Sequence, residues 1–150
     1  MKDTRRLELY LETLRRETHE VQEALGLSEE EIQSMPLVLR GLKYSMIVIA
    51  EVIAEICQHI LAKLHKTSVS GFGETLSKAM ARGVIPKELY ARLSPFLQFK
   101  NLLVHGYWKV DDALFLRNLL QGVGDFLAFA EHIEHQFVAE ALGPAAPTTE

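Results

Sequence analysis

The sequence predicts an all-α protein that folds as an antiparallel bundle of four to five helices. Apolar residues recur at helical spacing along most of the chain. Neither sustained polar–apolar alternation nor an Asn-Gly or Asp-Gly hairpin turn indicates a strand. With 150 residues, of which 48% are hydrophobic, the chain can bury one core. We therefore expect one helical domain over residues 1–142 and a disordered tail, rich in proline and small residues, over residues 143–150.

The first helix is predicted from Asp3 to Leu25, because its apolar residues fall on one face and Gly26 provides a natural stop. Ser28 and Glu31 have the spacing of a capping box, in which each residue's side chain bonds the other's backbone N–H. A short helical turn should follow this box and end near Met35.

The next helix should be long, from Pro36 to about Lys66, because proline is well tolerated at the first helical position. It is almost entirely apolar apart from a stripe that includes Glu51, Glu55 and Gln58 or His59. Such a helix packs against several neighbours or against a second subunit, and its charges argue against a membrane span.

The second half of the chain predicts three further helices, separated by glycine-rich or proline-containing segments. Pro95 falls inside the middle helix and should kink it. Asp111 and Asp112 offer an N-cap for the last helix. The expected spans are 74–82, 86–105 and 111–141.

Charge and cysteine content limit the functional classes. The net charge of −4 argues against non-specific coating of nucleic acid, although residues 36–117 carry eleven basic and six acidic side chains. The single cysteine, Cys57, excludes an internal disulfide, and the N-terminal segment has no signal-peptide pattern. We expect a cytoplasmic protein with a locally basic segment suited to an anionic ligand.

The segment Phe99–Trp108 places Lys100, Asn101, His105 and Tyr107 in an otherwise apolar helix. A histidine exchanges protons near neutral pH, and a cation stabilises charge that develops on phosphate oxygens. These groups suit metal-free RNA cleavage, in which a 2′-hydroxyl attacks the adjacent phosphate. The alternatives are a histidine that caps a helix end, a solvated lysine, and a tyrosine that packs as a core or interface aromatic.

Helical geometry separates these groups. Asn101 and His105 lie about 40° apart on one helix face, whereas Lys100 and His105 lie about 140° apart. Either the helix end distorts, or the lysine reaches around the helix, or a second chain completes the site. We favour completion by a two-fold-related copy.

The octet from Lys100 to Tyr107 resembles the HEPN signature, an arginine followed after four to six residues by a histidine. More narrowly, it is similar to the HepT-type toxins, whose version reads Arg-Asn-x-x-Val-His-x-Tyr. The resemblance extends over roughly residues 36–137, and the additional segments that carry it are 40–64, 71–76, 83–86 and 110–112.

The resemblance implies an α-helical homodimer and a metal-independent ribonuclease that acts on RNA, with tRNA as the expected target. It implies neither a metal nor a cofactor. Lys100 matches the basic position, Asn101 the polar residue after it, and His105 the catalytic histidine. The implied partner is an MNT-type nucleotidyltransferase antitoxin, which would adenylylate Tyr107.

Lys100 departs from the family pattern, because lysine offers a phosphate a point charge where arginine offers a bidentate fork. The departure leaves open a second reading, a catalytically weakened or inactive nucleotide-binding or interaction subunit that docks a nucleotidyltransferase. A third reading is a nucleotide-binding module unrelated to RNA cleavage. Arg40 or Lys43 could supply a second cation, although no pattern in the sequence places them near the octet.

Overall fold

The computed structural model describes residues 4–139, and this part of the chain is an all-α bundle without strands. Its seven α-helices are α1 (Arg5–Ala24), α2 (Glu29–Gln33), α3 (Pro36–Leu64), α4 (Phe72–Ala81), α5 (Lys87–His105), α6 (Asp112–Gly122) and α7 (Gly124–Ile133). A 3₁₀ turn, Tyr107–Lys109, joins α5 to α6, and a π-helical turn, Glu134–Ala139, follows α7. The predicted helical fold is confirmed.

Local chemistry sets several helix ends where the sequence predicts them. The Ser28 hydroxyl accepts a hydrogen bond from the Glu31 N–H at 3.0 Å, and the Ser28 N–H donates to the Glu31 carboxylate at 2.9 Å. Pro36 occupies the first turn of α3. The Asp111 carboxylate caps α6 by accepting from the Leu114 N–H at 3.1 Å. The capping box and the Asp111 cap are therefore confirmed.

The core surrounds α3, which packs against α1, α4 and α5, while α1 also packs against α7. By length and composition α3 could cross a bilayer. Its apolar side is nevertheless buried in this bundle, and Glu51 and Glu55 lie on its exposed side. Cys57 belongs to the buried side, where removal from water raises the pKa of its thiol and keeps it protonated.

The single last helix predicted over 111–141 is wrong, because α6 and α7 are separated at Val123. Gly122 faces the ring of Phe96, and a Cβ at this position would overlap that ring. The close approach requires glycine, which weakens a helix interior. The Phe126 N–H then bonds the Val123 carbonyl at 3.2 Å, a tighter i→i+3 pattern. The predicted helix end at Ala141 and the tail lie outside the described residues.

Candidate functional site

The predicted site lies at the carboxyl end of α5 and in the turn after it. Gly106 ends the helix, and its N–H bonds the Leu102 carbonyl at 2.8 Å. The 3₁₀ turn that begins at Tyr107 follows directly, and the Lys109 N–H bonds the Gly106 carbonyl at 2.8 Å. His105 and Tyr107 therefore flank the residue at which the chain leaves the helix.

Lys100 is half-buried in a cleft of about 470 Å³ between α3, α4 and the side of α5. Its Nζ lies 4.8 Å from the centroid of the Phe72 ring, close enough for a cation–π contact. Glu51 and Glu55 line the same cleft, and the Tyr10 hydroxyl donates a hydrogen bond to Glu55 at 3.3 Å. The cation predicted to serve a phosphate therefore lies beside an aromatic ring and two carboxylates.

Asn101 and His105 are both exposed near the end of α5. Within residues 4–139, no hydrogen bond or ion pair joins either side chain to another residue, Glu51 and Glu55 included. His105 belongs to the last turn of α5, where a protonated ring complements the helix dipole. Its exposure leaves the imidazole accessible to a substrate or to a second chain.

Tyr107 contacts Lys43, a cation that no pattern in the sequence places near the octet. The Nζ of Lys43 lies 4.5 Å from the centroid of the Tyr107 ring and 2.7 Å from Oδ1 of Asp112. Lys43 is only 5% exposed, whereas Tyr107 is 40% exposed. The available sequence signal was the position of Lys43 on α3, four residues after the buried Leu39 and three before the buried Met46.

One chain therefore separates the predicted site residues into two groups. Lys100 lies in the cleft against Phe72, whereas Tyr107 packs against Lys43, and no contact joins Lys100 to His105 among the residues described. The arrangement agrees with the wide angle that helical geometry gives between Lys100 and His105. Completion of the site by a second chain stays a prediction.

Exposed apolar side chains surround the exposed end of α5. Val104 is 47% exposed and Trp108 is 79% exposed, so neither side chain belongs to the core of the single chain. With Tyr107 between them, these residues lie within five positions of one another in the sequence, and exposed apolar residues that form one patch mark surfaces that bind a partner. We refer to Val104, Tyr107 and Trp108 as the α5-end patch.

His132 in α7 and Glu134 just after it have protein partners. Nε2 of His132 lies 3.0 Å from the Val84 carbonyl oxygen, and Arg15 pairs with Glu134 at 3.0 Å. Over residues 4–139, no group of three or more histidine, cysteine or acidic side chains is placed to hold a metal ion.

Comparison with known proteins decides the family. A family model described as "Ribonuclease HepT-like" matches residues 14–133. The chain belongs to the HepT-like family. The match includes the whole of α3 and α5 and extends the expected resemblance toward the N-terminus into the second half of α1. No curated protein sequence matches this HepT-like chain.

Solved structures confirm the HEPN fold of this HepT-like protein. A tri-AMPylated HEPN toxin from Shewanella oneidensis, in complex with MNT antitoxin, has a TM-score of 0.78 and 16% identity, over 91% of this chain and 100% of that chain. A toxin–antitoxin with AMP-PNP has a TM-score of 0.75 and 15% identity, with the same coverage. A mutant MntA–HpeT toxin–antitoxin has a TM-score of 0.72 and 16% identity, over 85% and 95% of the two chains.

Proposed function

We propose that this HepT-like protein is a toxin, a metal-independent endoribonuclease that cleaves RNA as a homodimer in the cytoplasm. The observation that carries the proposal is the ordered set Lys100, Asn101, His105 and Tyr107 at the exposed end of α5 in a HepT-like chain. We expect tRNA to be the target, as the family resemblance implies.

The proposed reaction needs one group that transfers protons, His105, and one that stabilises negative charge, Lys100. A base removes the proton of the 2′-hydroxyl, the 2′-oxygen attacks phosphorus, and the bond to the 5′-oxygen breaks as an acid protonates that oxygen. The products are a 2′,3′-cyclic phosphate and a free 5′-hydroxyl. His105 is the residue we assign to proton transfer, and Lys100 is the cation that stabilises the phosphate charge. Asn101, on the same face as His105, is assigned to hydrogen bonding with the substrate.

A dimer answers two needs of this reaction. Acid and base functions are required together, and two copies of His105 could supply both across a two-fold axis. Lys100 of one chain lies away from its own His105, so the partner chain is the natural source of the cation. The α5-end patch, which is exposed in one chain, provides apolar surface for such an interface.

We propose an MNT-type nucleotidyltransferase as the antitoxin. The similar solved toxins are bound to an antitoxin, and one of them is AMPylated. Tyr107 is the residue we assign to this modification: its phenolic oxygen would attack the α-phosphorus of ATP, lose its proton to a base and release pyrophosphate. The exposed part of the Tyr107 side chain makes it a suitable acceptor.

Cleavage of total RNA in the presence of a chelator tests the nuclease assignment. The wild-type protein should cut, and His105→Ala should lose about 10²-fold or more of the rate because proton transfer is removed. His135→Ala, which changes another exposed histidine, is the matched control and should cut normally. Cleavage that persists in His105→Ala would sink the assignment.

The intact mass of the protein co-expressed with a candidate antitoxin tests the partner. Modification should add mass in multiples of AMP, and Tyr107→Phe should abolish the addition. An unchanged wild-type mass would contradict this part of the proposal.

The position of Lys100 favours a second candidate, an inactive interaction subunit that docks a nucleotidyltransferase. Its ammonium lies over Phe72, in a cleft with two carboxylates, and away from His105. Lys100→Arg restores the bidentate fork of the family. If neither the wild type nor Lys100→Arg cuts RNA while both bind the antitoxin, the second candidate replaces the first.

A further inference from the structure

Lys43 connects the body of the bundle to both sides of the α5–α6 connection. Its side chain leaves α3 on the buried side, and its Nζ contacts the Tyr107 ring on one side and Asp112 on the other. Tyr107 begins the 3₁₀ turn, and Asp112 begins α6. A single cation therefore joins the start of the turn to the helix that follows it.

Apolar contacts give the turn only partial support. None of the residues in Tyr107–Lys109 is buried, Tyr107 keeps 40% of its surface exposed, and the nearest residue packed against the core is Val110, which follows the turn. Its backbone bonds are local, from the Lys109 N–H to Gly106 and from the Val110 N–H to Tyr107. Local bonds of this kind shape a turn but do not fix its orientation relative to α3.

The surroundings of Lys43 account for its burial. A buried ammonium requires a counter-charge, which Asp112 supplies at 2.7 Å. The negative face of the Tyr107 ring adds a cation–π attraction, which is stronger when water is excluded. With 5% exposure, Lys43 is poorly placed to meet a phosphate, which argues for a structural action on Tyr107 and against direct contact with substrate.

We propose that Lys43 is a positioning residue that fixes the orientation of the turn carrying Tyr107. By holding the Tyr107 ring, Lys43 fixes the direction in which the phenolic oxygen is presented to a nucleotidyltransferase. Because Gly106 connects this turn to α5, Lys43 also limits the motion of His105 at the end of that helix. The effect of Lys43 on the turn is independent of the proposed function. Only its consequence for AMP addition to Tyr107 rests on that function.

Amide hydrogen exchange measures the turn directly and needs no activity. Lys43→Met, which keeps an unbranched apolar side chain one atom shorter and removes the charge, should speed exchange over residues 106–110 by roughly tenfold, because the turn opens more often. Exchange in α1 should rise no more than the variant's global loss of stability requires, and clearly less than exchange in the turn. Lys43→Arg keeps a cation that can stack on the ring, and its exchange should return to within about twofold of the wild type. The control is Arg92→Met, which removes a cation from the α5–α7 ion pair with Asp125.

Tyr107→Leu tests the same contact from the exposed side, where the fold is less at risk. It leaves the Lys43–Asp112 pair in place and removes the aromatic face, so the turn should again exchange faster. Unchanged exchange over 106–110 in both Lys43→Met and Tyr107→Leu would overturn the proposal.

Modification kinetics then connect the turn to its reaction. Lys43→Met should slow AMP addition to Tyr107, Lys43→Arg should restore it, and Arg92→Met should match the wild type. If the wild type accepts no AMP and cuts no RNA, the proposed function fails, while the exchange measurement still decides the role of Lys43. Normal AMP addition by a Lys43→Met protein with a loosened turn would remove the functional part of the inference.

Discussion

The ammonium of Lys43 lies 4.5 Å above the centre of the Tyr107 ring, although the two residues belong to different helical segments of the chain. The same ammonium forms an ion pair with Asp112. These two contacts attach the region around Tyr107 to α3, the central helix of the bundle. The energetics of the three groups can be tested separately.

Removing the two partners of the ion pair should have unequal costs. Asp112→Ala leaves the buried ammonium of Lys43 without its counter-charge and should lower the free energy of unfolding by about 3 kcal/mol. Lys43→Met replaces that charge with apolar volume but leaves the buried Oδ1 of Asp112 unpaired, in a side chain that is 39% exposed overall, so it should cost less, about 1–2 kcal/mol. Urea denaturation monitored by circular dichroism measures both. Equal losses of unfolding free energy in the two variants would show that the unpaired ammonium of Lys43 is not the main cost of breaking the pair.

The charge on Lys100 should matter to RNA cleavage more than to stability. Lys100→Met should reduce the cleavage rate by about 10²-fold, because the developing phosphate charge loses its cation. Lys100→Arg should cut at least as fast as the wild type, since its fork matches a phosphate. Single-turnover kinetics on a short RNA, with melting temperature as the control, provide the measurement. A Lys100→Met protein that cuts at the wild-type rate would exclude this residue from the site.

The junction of α6 and α7 should not tolerate a side chain at Gly122. Gly122→Ala places a methyl group against the Phe96 ring, and overpacking of this kind costs about 1–3 kcal/mol. Gly41→Ala is the matched control, because a Cβ there meets no atom within 4 Å and alanine favours a helix. The control should be neutral or stabilising by about 0.5–1 kcal/mol. Thermal unfolding measures the melting temperature of both variants. If Gly122→Ala is no less stable than Gly41→Ala, the close approach of Phe96 is not the reason for glycine at position 122.

Acid should weaken the capping box before α2. Hydrogen bonds from the Ser28 backbone and side chain lower the pKa of Glu31 below its ordinary value of 4.5. A carboxylate with a lowered pKa contributes stability that is present above its unfolded pKa and is lost as the pH falls through the folded pKa. Glu31→Gln, which removes the charge and leaves both Ser28 groups in place, should therefore lower the melting temperature more at pH 7 than at pH 3. An equal difference at the two pH values would mean that the ionised Glu31 is not involved.

Local chemistry allowed much of the fold to be predicted, because Ser28, Pro36 and Asp111 act on backbone groups within one helical turn. The interruption at Val123 could be predicted only in part, because Gly122 and Gly124 mark a weak point of the helix, whereas the ring of Phe96 that requires Gly122 lies on another helix. The same distinction applies to the site. The angle between Lys100 and His105 follows from one helix, whereas the contact of Lys43 with Tyr107 depends on how α3 meets the end of α5.

Trp108 is the only tryptophan of the chain, and it is 79% exposed beside Tyr107. Its indole gives the protein an intrinsic fluorescent reporter at the α5-end patch. A second copy of the chain, an antitoxin or an RNA strand that covers this patch would transfer the indole from water to a drier environment and shift its emission toward the blue. Assembly at this end of α5 can therefore be followed in the unlabelled protein.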